Sequence, residues 1–377
     1  MIQRVLFLYG NDPNPSLIER AQMLENTGDF ESHIAYWHRE KSDISIPFST
    51  KLSDGRVHQI SLPDPRGNPI NRILLSLKFA LRLRRVIKRV RPAVIYAVNP
   101  DMLGLAAIAL LGMKNIGVVY DFQDQKGTNL NTLAKSIYRT ILRRASYVVI
   151  RSEGFRFQIE KESLVNTSTP VEYMAEAPLY WKDVREPHKD RPHLVVGYFG
   201  NIRGRDQLWH LLSATKELRA SGRDIKLRFA GGGPEAAWLQ KQVDSLDYVT
   251  FTGVFDYFSE YKTLFATADI VHAVYPLDWA NYLTHEARRF HEAAAMGVPL
   301  IVSSGTFMAE RVRHLGIGWD VDPESAEGLL EVLRDVYDNR AMLSEAIATP
   351  ELRKEHQLET YEELLVDATT RSIRKSD

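Results

Sequence analysis

The chain has 377 residues, enough for two domains of ordinary size, and its 44% hydrophobic and 25% charged content excludes a disordered or fibrous class. Lys+Arg and Asp+Glu balance at 48 each, so net charge identifies no partner. The absence of cysteine removes disulfides, thiol nucleophiles and cysteine metal sites, and fits a reducing compartment.

The first residues, "MIQRVLFLYG", lack the long apolar core and small-residue cleavage site of a signal peptide and read as a buried strand. A helical run follows over 16–28. Then "AVIYAVN" (Ala93 to Asn99) precedes a helix over 101–112, "GVVYDFQD" precedes one over 129–144, and "SYVVIRS" closes this half. The longest nearly uncharged apolar run, Met102 to Met113, is about half the ~20 residues a membrane-spanning helix needs. A cytoplasmic protein is expected, peripheral to a membrane at most.

The segment 180–193, "YWKDVREPHKDRPH", has two prolines, many charges and no periodicity, so it reads as a linker. Alternation then restarts. Strands at "LVVGYFGN", "IKLRFAGGG", "VTFTG", "DIVHAVYP" and "PLIVSS" are interleaved with helices over 206–221, 235–245, 256–267 and 285–296, and helices over 324–347 and 350–372 end the chain. Short apolar strands alternating with helices predict parallel α/β sheets. The expected architecture is two Rossmann-like domains facing a cleft. Residues 1–180 form the first, 181–192 the linker and 193–350 the second, and 351–377 cross back to the first. Ligands on such sheets bind beyond the carboxyl ends of the strands.

Between Pro65 and Pro100 there is no Asp or Glu, but nine Lys or Arg. On a helix from Asn71, Lys78, Arg82, Arg85 and Arg89 share one face, opposite Leu75, Phe79, Leu83, Val86 and Val90. A basic face of this kind suits an anionic membrane surface. Nucleic acid is disfavoured, because no interleaved aromatics accompany the charge.

Three features in the second half could hold a phosphorylated ligand. After "VVGYFG", Gly200 and Gly204 bracket Arg203, with Arg205 next, before a helix. An arginine fork and a helix N-terminus both suit phosphate, although a surface turn explains the same residues. After "LRFA", the run Gly231–Gly232–Gly233 lets a ligand approach the backbone, while Pro234 and Glu235 suit a helix start. In "RRFHEAAAMGVPLIVSSG", Glu292 can accept two hydrogen bonds from a ribose diol, or can pair with Arg288 or Arg289 on a solvated face. Neither glycine loop is the GxGxxG of a nicotinamide dehydrogenase.

Taken in order, "GYFGNIR…DQLWHLLSA", "LRFAGGGPE", "YKTLFATADIVHAVYP" and "RRFHEAAAMGVPLIVSSG" resemble the family 4 glycosyltransferases, which are retaining GT-B enzymes using nucleotide-sugar donors. "VIYAVNPDMLGLAAIAL", "GVVYDFQDQ" and "ASYVVIRSEGF" resemble the N-terminal half more weakly, and the resemblance covers most of residues 90–325. It implies that Glu292 holds the donor ribose, that Arg203 and Arg289 contact the diphosphate, and that Val254 and Phe255 line the base pocket. Gly200, Arg205, Gly231, Gly232, Thr284 and His285 complete the donor side, with Gly10 and Asn11 on the acceptor side. Asp124, Gln123 and Arg203 take the catalytic positions, Asp124 orienting a sugar, although turn and cap chemistry explains Asp121 and Asp124 equally well.

Two positions depart from the family pattern. Thr284 stands where an E-x7-E motif has its first Glu, and Gln123 stands where a "YDxHD" segment has His. Gln can hydrogen-bond but cannot shuttle a proton near neutral pH. No cofactor or metal is expected, and no covalent nucleophile is identified. The expected activity is retaining sugar transfer from a nucleotide-diphosphate donor to a glycan or lipid-linked acceptor in surface polysaccharide synthesis. Alternatives are a sugar-nucleotide epimerase on the same fold and a non-catalytic nucleotide-sugar-binding partner.

Overall fold

The structure is a computed structural model that describes residues 2–40, 55–64, 69–124, 136, 139–161, 168–179, 191–278 and 280–374. These fall into two compact units. One contains the chain up to Ala175 together with the segment from Tyr361, and the other spans Glu176–Thr360. Residues 180–190 of the expected linker, and most of the helix expected over 129–144, lie outside the described residues.

The first unit is built on a seven-stranded sheet of order β3-β2-β1-β4-β5-β6-β7 among the described residues. The strands are β1 (Gln3–Tyr9), β2 (Phe30–Glu40), β3 (Val57–Pro63), β4 (Val94–Val98), β5 (Gly117–Phe122), β6 (Tyr147–Ile150) and β7 (Val171–Tyr173). All neighbours pair in parallel. The helices are α1 (Pro15–Asn26), α2 (Pro69–Val90), α3 (Asn99–Ala109), the short α4 (Arg156–Lys161) and the C-terminal Glu362–Arg374. Strands β4, β5 and β6 are buried along their whole length, because helices cover both faces of a parallel sheet.

On one face Leu6, Leu8, Ile95 and Ala97 pack against Phe79, Leu83, Met102 and Leu103 of α2 and α3. On the other, Tyr96 stacks on Phe7 with centroids 4.9 Å apart and shares a 2.7 Å hydrogen bond with Thr369 of the C-terminal helix. That helix lies against β4, β5 and β6. A side chain at Gly117 would overlap the backbone of Ser372, so glycine permits this close approach.

Among the described residues the second unit has a six-stranded parallel sheet of order β10-β9-β8-β11-β12-β13. Its strands are β8 (Leu194–Phe199), β9 (Ile225–Ala230), β10 (Val249–Phe251), β11 (Ile270–Ala273), β12 (Leu300–Ser303) and β13 (Gly318–Val321). Its helices are α5 (Arg205–Ala220), α6 (Ala236–Val243), α7 (Tyr257–Thr267), α8 (Ala280–Thr284), α9 (Arg288–Met296), α10 (Phe307–Leu315), α11 (Glu327–Asp338), α12 (Ala341–Glu345) and α13 (Pro350–Glu355), so the C-terminal helix of the first unit is α14. In each sheet the strand order reverses once, between β1 and β4 and between β8 and β11. Such a switch point opens a crevice at the carboxyl ends of the two strands.

The sequence reading differs from the structure in several places. Strands β2, β3, β7 and β13 and helix α10 were not anticipated. Strand β2, "FESHIAYWHRE", mixes charge with aromatics, and edge strand β3, "VHQISLP", is only half apolar, so neither shows an apolar run. The expected helix over 324–347 breaks at Asn339, whose backbone leaves the helical region at φ −126° and ψ 88°. The expected helix over 350–372 is split into α13, a 3-10 turn and α14. The helix expected from His285 begins instead at Arg288, because Ala287 is extended and caps it.

Candidate functional site

In the second unit the loop after β8 meets the loop after β9. Gly200 has φ +116° and donates its N–H to the Ala230 carbonyl at 2.8 Å. Gly231, at φ +143°, lies so close that a side chain there would overlap the Gly200 carbonyl oxygen. A side chain at Gly233 would overlap Asn201 and the Ile202 backbone. Packing of one loop on the other thus requires two of the three glycines. Gly232 is different, since a Cβ there would meet only Val254, at 3.0 Å. The helix start expected at Pro234 is displaced to Ala236, and Glu235 makes no side-chain cap.

Arg203 and Arg205 take different directions from this loop. Arg205 is exposed, donates to Glu235 Oε2 at 2.8 Å and lies 5.4 Å over the Trp238 ring. Arg203 is half-buried, and its Nη1 donates to the Tyr282 hydroxyl at 3.1 Å. Tyr282 stacks on Tyr275 at 5.3 Å. Gly204, at φ +77°, starts α5 with no side-chain cap.

Arg289, from α9, is buried across the switch point. Its Nε donates to the Phe199 carbonyl at the end of β8, 2.8 Å away, and its Nη1 to the His272 carbonyl of β11 at 3.0 Å. Its guanidinium lies 3.8 Å over the Tyr198 ring, and a Cβ on Gly200 would be 3.5 Å from its Nη2. The aromatic faces and carbonyls compensate the desolvation of this cation. One turn later on α9, Glu292 is 4% exposed, so it does not sit on a solvated face. Its Oε1 accepts from Arg288 Nε at 2.8 Å and from the Tyr257 hydroxyl at 2.9 Å. Of the two arginines offered by the sequence, Arg288 is therefore its partner, and Arg289 is engaged elsewhere. Ala293, Ala294 and Ala295 are buried behind Glu292.

The other residues that the sequence assigned to the donor side lie as follows. Val254 is exposed, and Phe255 stacks on Tyr261 at 6.1 Å. Thr284 ends α8 and is half-buried. The His285 ring packs against Tyr275 and Tyr282, and burial, aided by the Arg203 charge, pushes its pKa down to about 4. It is therefore neutral at physiological pH. Burial beside Arg289 pushes His272 down to about 3.

In the first unit, Gly10 is buried beyond β1 and Asn11 is exposed. Gln123 and Asp124 follow β5. Asn99, at the end of β4, clamps both: its Oδ1 accepts from the Gln123 N–H at 3.1 Å and the Asp124 N–H at 3.0 Å, and its Nδ2 donates to Asp124 Oδ2 at 3.1 Å. Asn99 has φ +65°, a left-handed conformation that Asn tolerates better than most residues. Gln123 Nε2 donates to Asp121 Oδ2 at 3.3 Å. Asp121 is fully buried between Arg151, whose Nε donates to Oδ1 at 2.6 Å, and Arg20 at 3.5 Å. Burial alone would raise the Asp121 pKa, but these two cations outweigh it and hold the carboxyl below its ordinary value. Asp121 is thus an ion-pair anchor rather than a turn residue.

Asn99, Tyr257 and Tyr282 were not foreseen. "VNPD" after a strand offered a signal for Asn99, since Asn before Pro favours a turn. Nothing local marks the tyrosines.

All four basic residues assigned to a membrane face, Lys78, Arg82, Arg85 and Arg89, are exposed on α2. The opposing stripe is spent in the core: Phe79, Leu83 and Val90 are buried, and Leu75 and Val86 pack against them. No helix among the described residues is long and apolar enough to cross a membrane.

Residues 180–351 match the family model described as "Glycosyl transferases group 1". No curated protein matches the sequence. Among solved structures, the sucrose-phosphate synthase of Thermosynechococcus elongatus is similar at 15% identity and a TM-score of 0.70, over 99% of this chain and 100% of that one. Anabaena HepE in complex with UDP-glucose is similar at 14% identity and a TM-score of 0.70, over 97% and 99%. The lipopolysaccharide outer core galactosyltransferase WaaB is similar at 14% identity and a TM-score of 0.60, over 99% of both chains. The chain has the GT-B fold, and its second unit carries the sequence pattern of the group 1 glycosyl transferases.

Proposed function

We propose that the protein is a retaining glycosyltransferase that takes a hexosyl group from a nucleotide-diphosphate sugar. The observation that carries this reading is Arg289 across the β8/β11 switch point, with Arg203 in the loop after β8, Glu292 one turn further along α9, and a glycine loop and the start of α5 following β9 and β8. Arginines and helix N–H groups suit the negative charge that develops on a leaving diphosphate. Glu292, fixed by Arg288 and Tyr257, is assigned to accept hydrogen bonds from a ribose diol. Val254 and Phe255 are offered as the base side. The UDP-glucose bound to HepE supports a donor of this class.

Neutral His285 and Thr284, assigned to the donor side, would meet the sugar by hydrogen bonding rather than by charge. Asp124 and Gln123, held by Asn99, are assigned to sugar orientation. Retention is attributed to the leaving phosphate, which accepts the acceptor's proton while the new bond forms on the face it vacates. No residue is assigned as a covalent nucleophile, and no metal is required. The acceptor side is placed at Gly10 and Asn11, with a lipid-linked glycan of surface polysaccharide synthesis as acceptor. Reaction at the cytoplasmic face of the membrane is part of this proposal.

A panel of UDP-, GDP- and dTDP-sugars, with product analysis, tests this reading. Transfer or hydrolysis with retained anomeric configuration supports it. Isomerised donor would make the protein an epimerase, and binding without turnover would make it a non-catalytic partner.

A further inference from the structure

Helix α2 has two apolar faces. The inner one, Phe79, Ala80, Leu83, Ile87 and Val90, is buried in the core of the first unit. The outer one is not. Ile70, Ile73, Leu74, Leu77 and Leu81 are exposed by 67%, 62%, 51%, 45% and 62%. They recur at i, i+3, i+4, i+7 and i+11, which makes one continuous stripe along the first three turns. Single exposed aliphatics need no explanation, but five in register on one helix do.

The charge around this stripe is one-sided. At 100° per residue, Lys78, Arg82, Arg85 and Arg89 form a row along one flank, and Lys88 continues the line of the stripe itself toward the C-terminal end. The helix has no acidic residue. On the other flank Arg84 Nη1 donates to the Ala109 and Leu111 carbonyls, both at 2.7 Å, and ties the end of α3 to α2. Two more exposed aliphatics, Ile108 and Leu111, lie at that end.

We infer that the outer face of α2 is a docking surface for an anionic bilayer, with the Ile70–Leu81 stripe inserted among the acyl chains and the basic row set against lipid phosphates. An interfacial helix has this composition: aliphatics on one face, Lys and Arg beside them, no acids, and too many charges and too little apolarity to span. A second copy of this chain is a poor occupant, since pairing the face with itself sets basic rows together with no acidic complement. Nucleic acid fits the charge but not five aliphatics without a stacking ring. The inference deepens the membrane part of the proposed function and rests on it in no other way. Vesicle binding needs no donor, so the two readings fail separately.

Flotation of the full chain with vesicles of phosphatidylcholine alone, or mixed with phosphatidylglycerol, tests it. Binding to the mixed vesicles is expected, with roughly tenfold or greater loss for the Lys78→Glu, Arg85→Glu, Arg89→Glu triple variant. The Ile73→Ser, Leu77→Ser double variant should also lose roughly tenfold, even at low salt, which a purely electrostatic surface would not show. Both variants change exposed side chains, so unchanged thermal unfolding is the control for folding. Equal binding to both vesicle types, undiminished binding by the double variant, or a lipid-free dimer abolished by the double variant would overturn the inference.

Discussion

The Arg289 guanidinium bridges the β8/β11 switch point, with Nε on the Phe199 carbonyl at 2.8 Å and Nη1 on the His272 carbonyl at 3.0 Å. One buried side chain thereby ties together the two strands between which a ligand of this fold binds. Lysine keeps the charge but cannot reach two carbonyls in a fixed fork. Arg289→Lys is therefore expected to lose about 2–4 kcal/mol of stability, read by denaturant unfolding, because buried carbonyls lose their donors. Nucleoside diphosphate affinity should fall with it. Wild-type stability would show that the bridge is dispensable.

Glu292 is held by Arg288 and Tyr257, so its carboxylate is oriented before any ligand arrives. A ribose role makes a distinctive prediction. Wild-type protein should prefer a nucleoside diphosphate over its 2′,3′-dideoxy counterpart, and Glu292→Ala should erase that preference, worth about 1.5–3 kcal/mol for bonds to a charged group. A preference that survives the substitution would return Glu292 to a purely structural role.

Asn99 acts on Gln123 and Asp124 without being assigned to touch substrate. Asn99→Gly keeps the left-handed backbone but removes all three clamp bonds. Turnover should drop roughly tenfold or more while donor affinity, which the proposed function assigns to the second unit, stays unchanged. Parallel losses in kcat and donor affinity would mean that the clamp only supports the fold.

Acid should destabilise the protein in a defined window. His272 and His356 are pushed down to about 3 and His285 to about 4, in each case chiefly by burial. An unfolded histidine titrates near 6.5. Between these values the unfolded chain binds more protons, so stability is full above about pH 6.5 and falls as pH drops through the window, by about 1.4 kcal/mol per unit for each histidine. His272→Leu should flatten the dependence of stability on pH by about one proton. An unchanged slope would show that His272 protonates in the fold.

Removing Arg151 from the buried Arg151–Asp121–Arg20 group takes the closest cation from Asp121 and leaves it only the longer Arg20 contact at 3.5 Å. Arg151→Met should destabilise by about 3–5 kcal/mol, measured by urea unfolding. A loss below about 1 kcal/mol would mean that Arg20 alone suffices.

Much of this was legible in the sequence. The strands that carry the switch points, β1, β4, β8 and β11, are short apolar runs, and the residues just beyond them include Gly200, Arg203 and Gly10. What escaped reading depends on contacts far apart in the chain. Tyr257 and Tyr282 matter through Glu292 and Arg203, and no local pattern couples them. The three glycines after β9 resemble a ligand loop, yet two are fixed by the loop after β8. In α2 the apolar stripe from Leu75 to Val90, visible opposite the basic row, packs into the core. The outer stripe, Ile70 to Leu81, became visible only when the core was found to be complete without it.

Calorimetric titration of UDP, GDP and dTDP into the full chain, and into its Arg203→Met and Glu292→Ala variants, bears most directly on the donor site. The expected result is binding of at least one of the three, weakened roughly tenfold or more by each substitution. Absence of binding by all three, or equal affinity in both variants, would contradict a nucleotide-sugar site at the β8/β11 switch point.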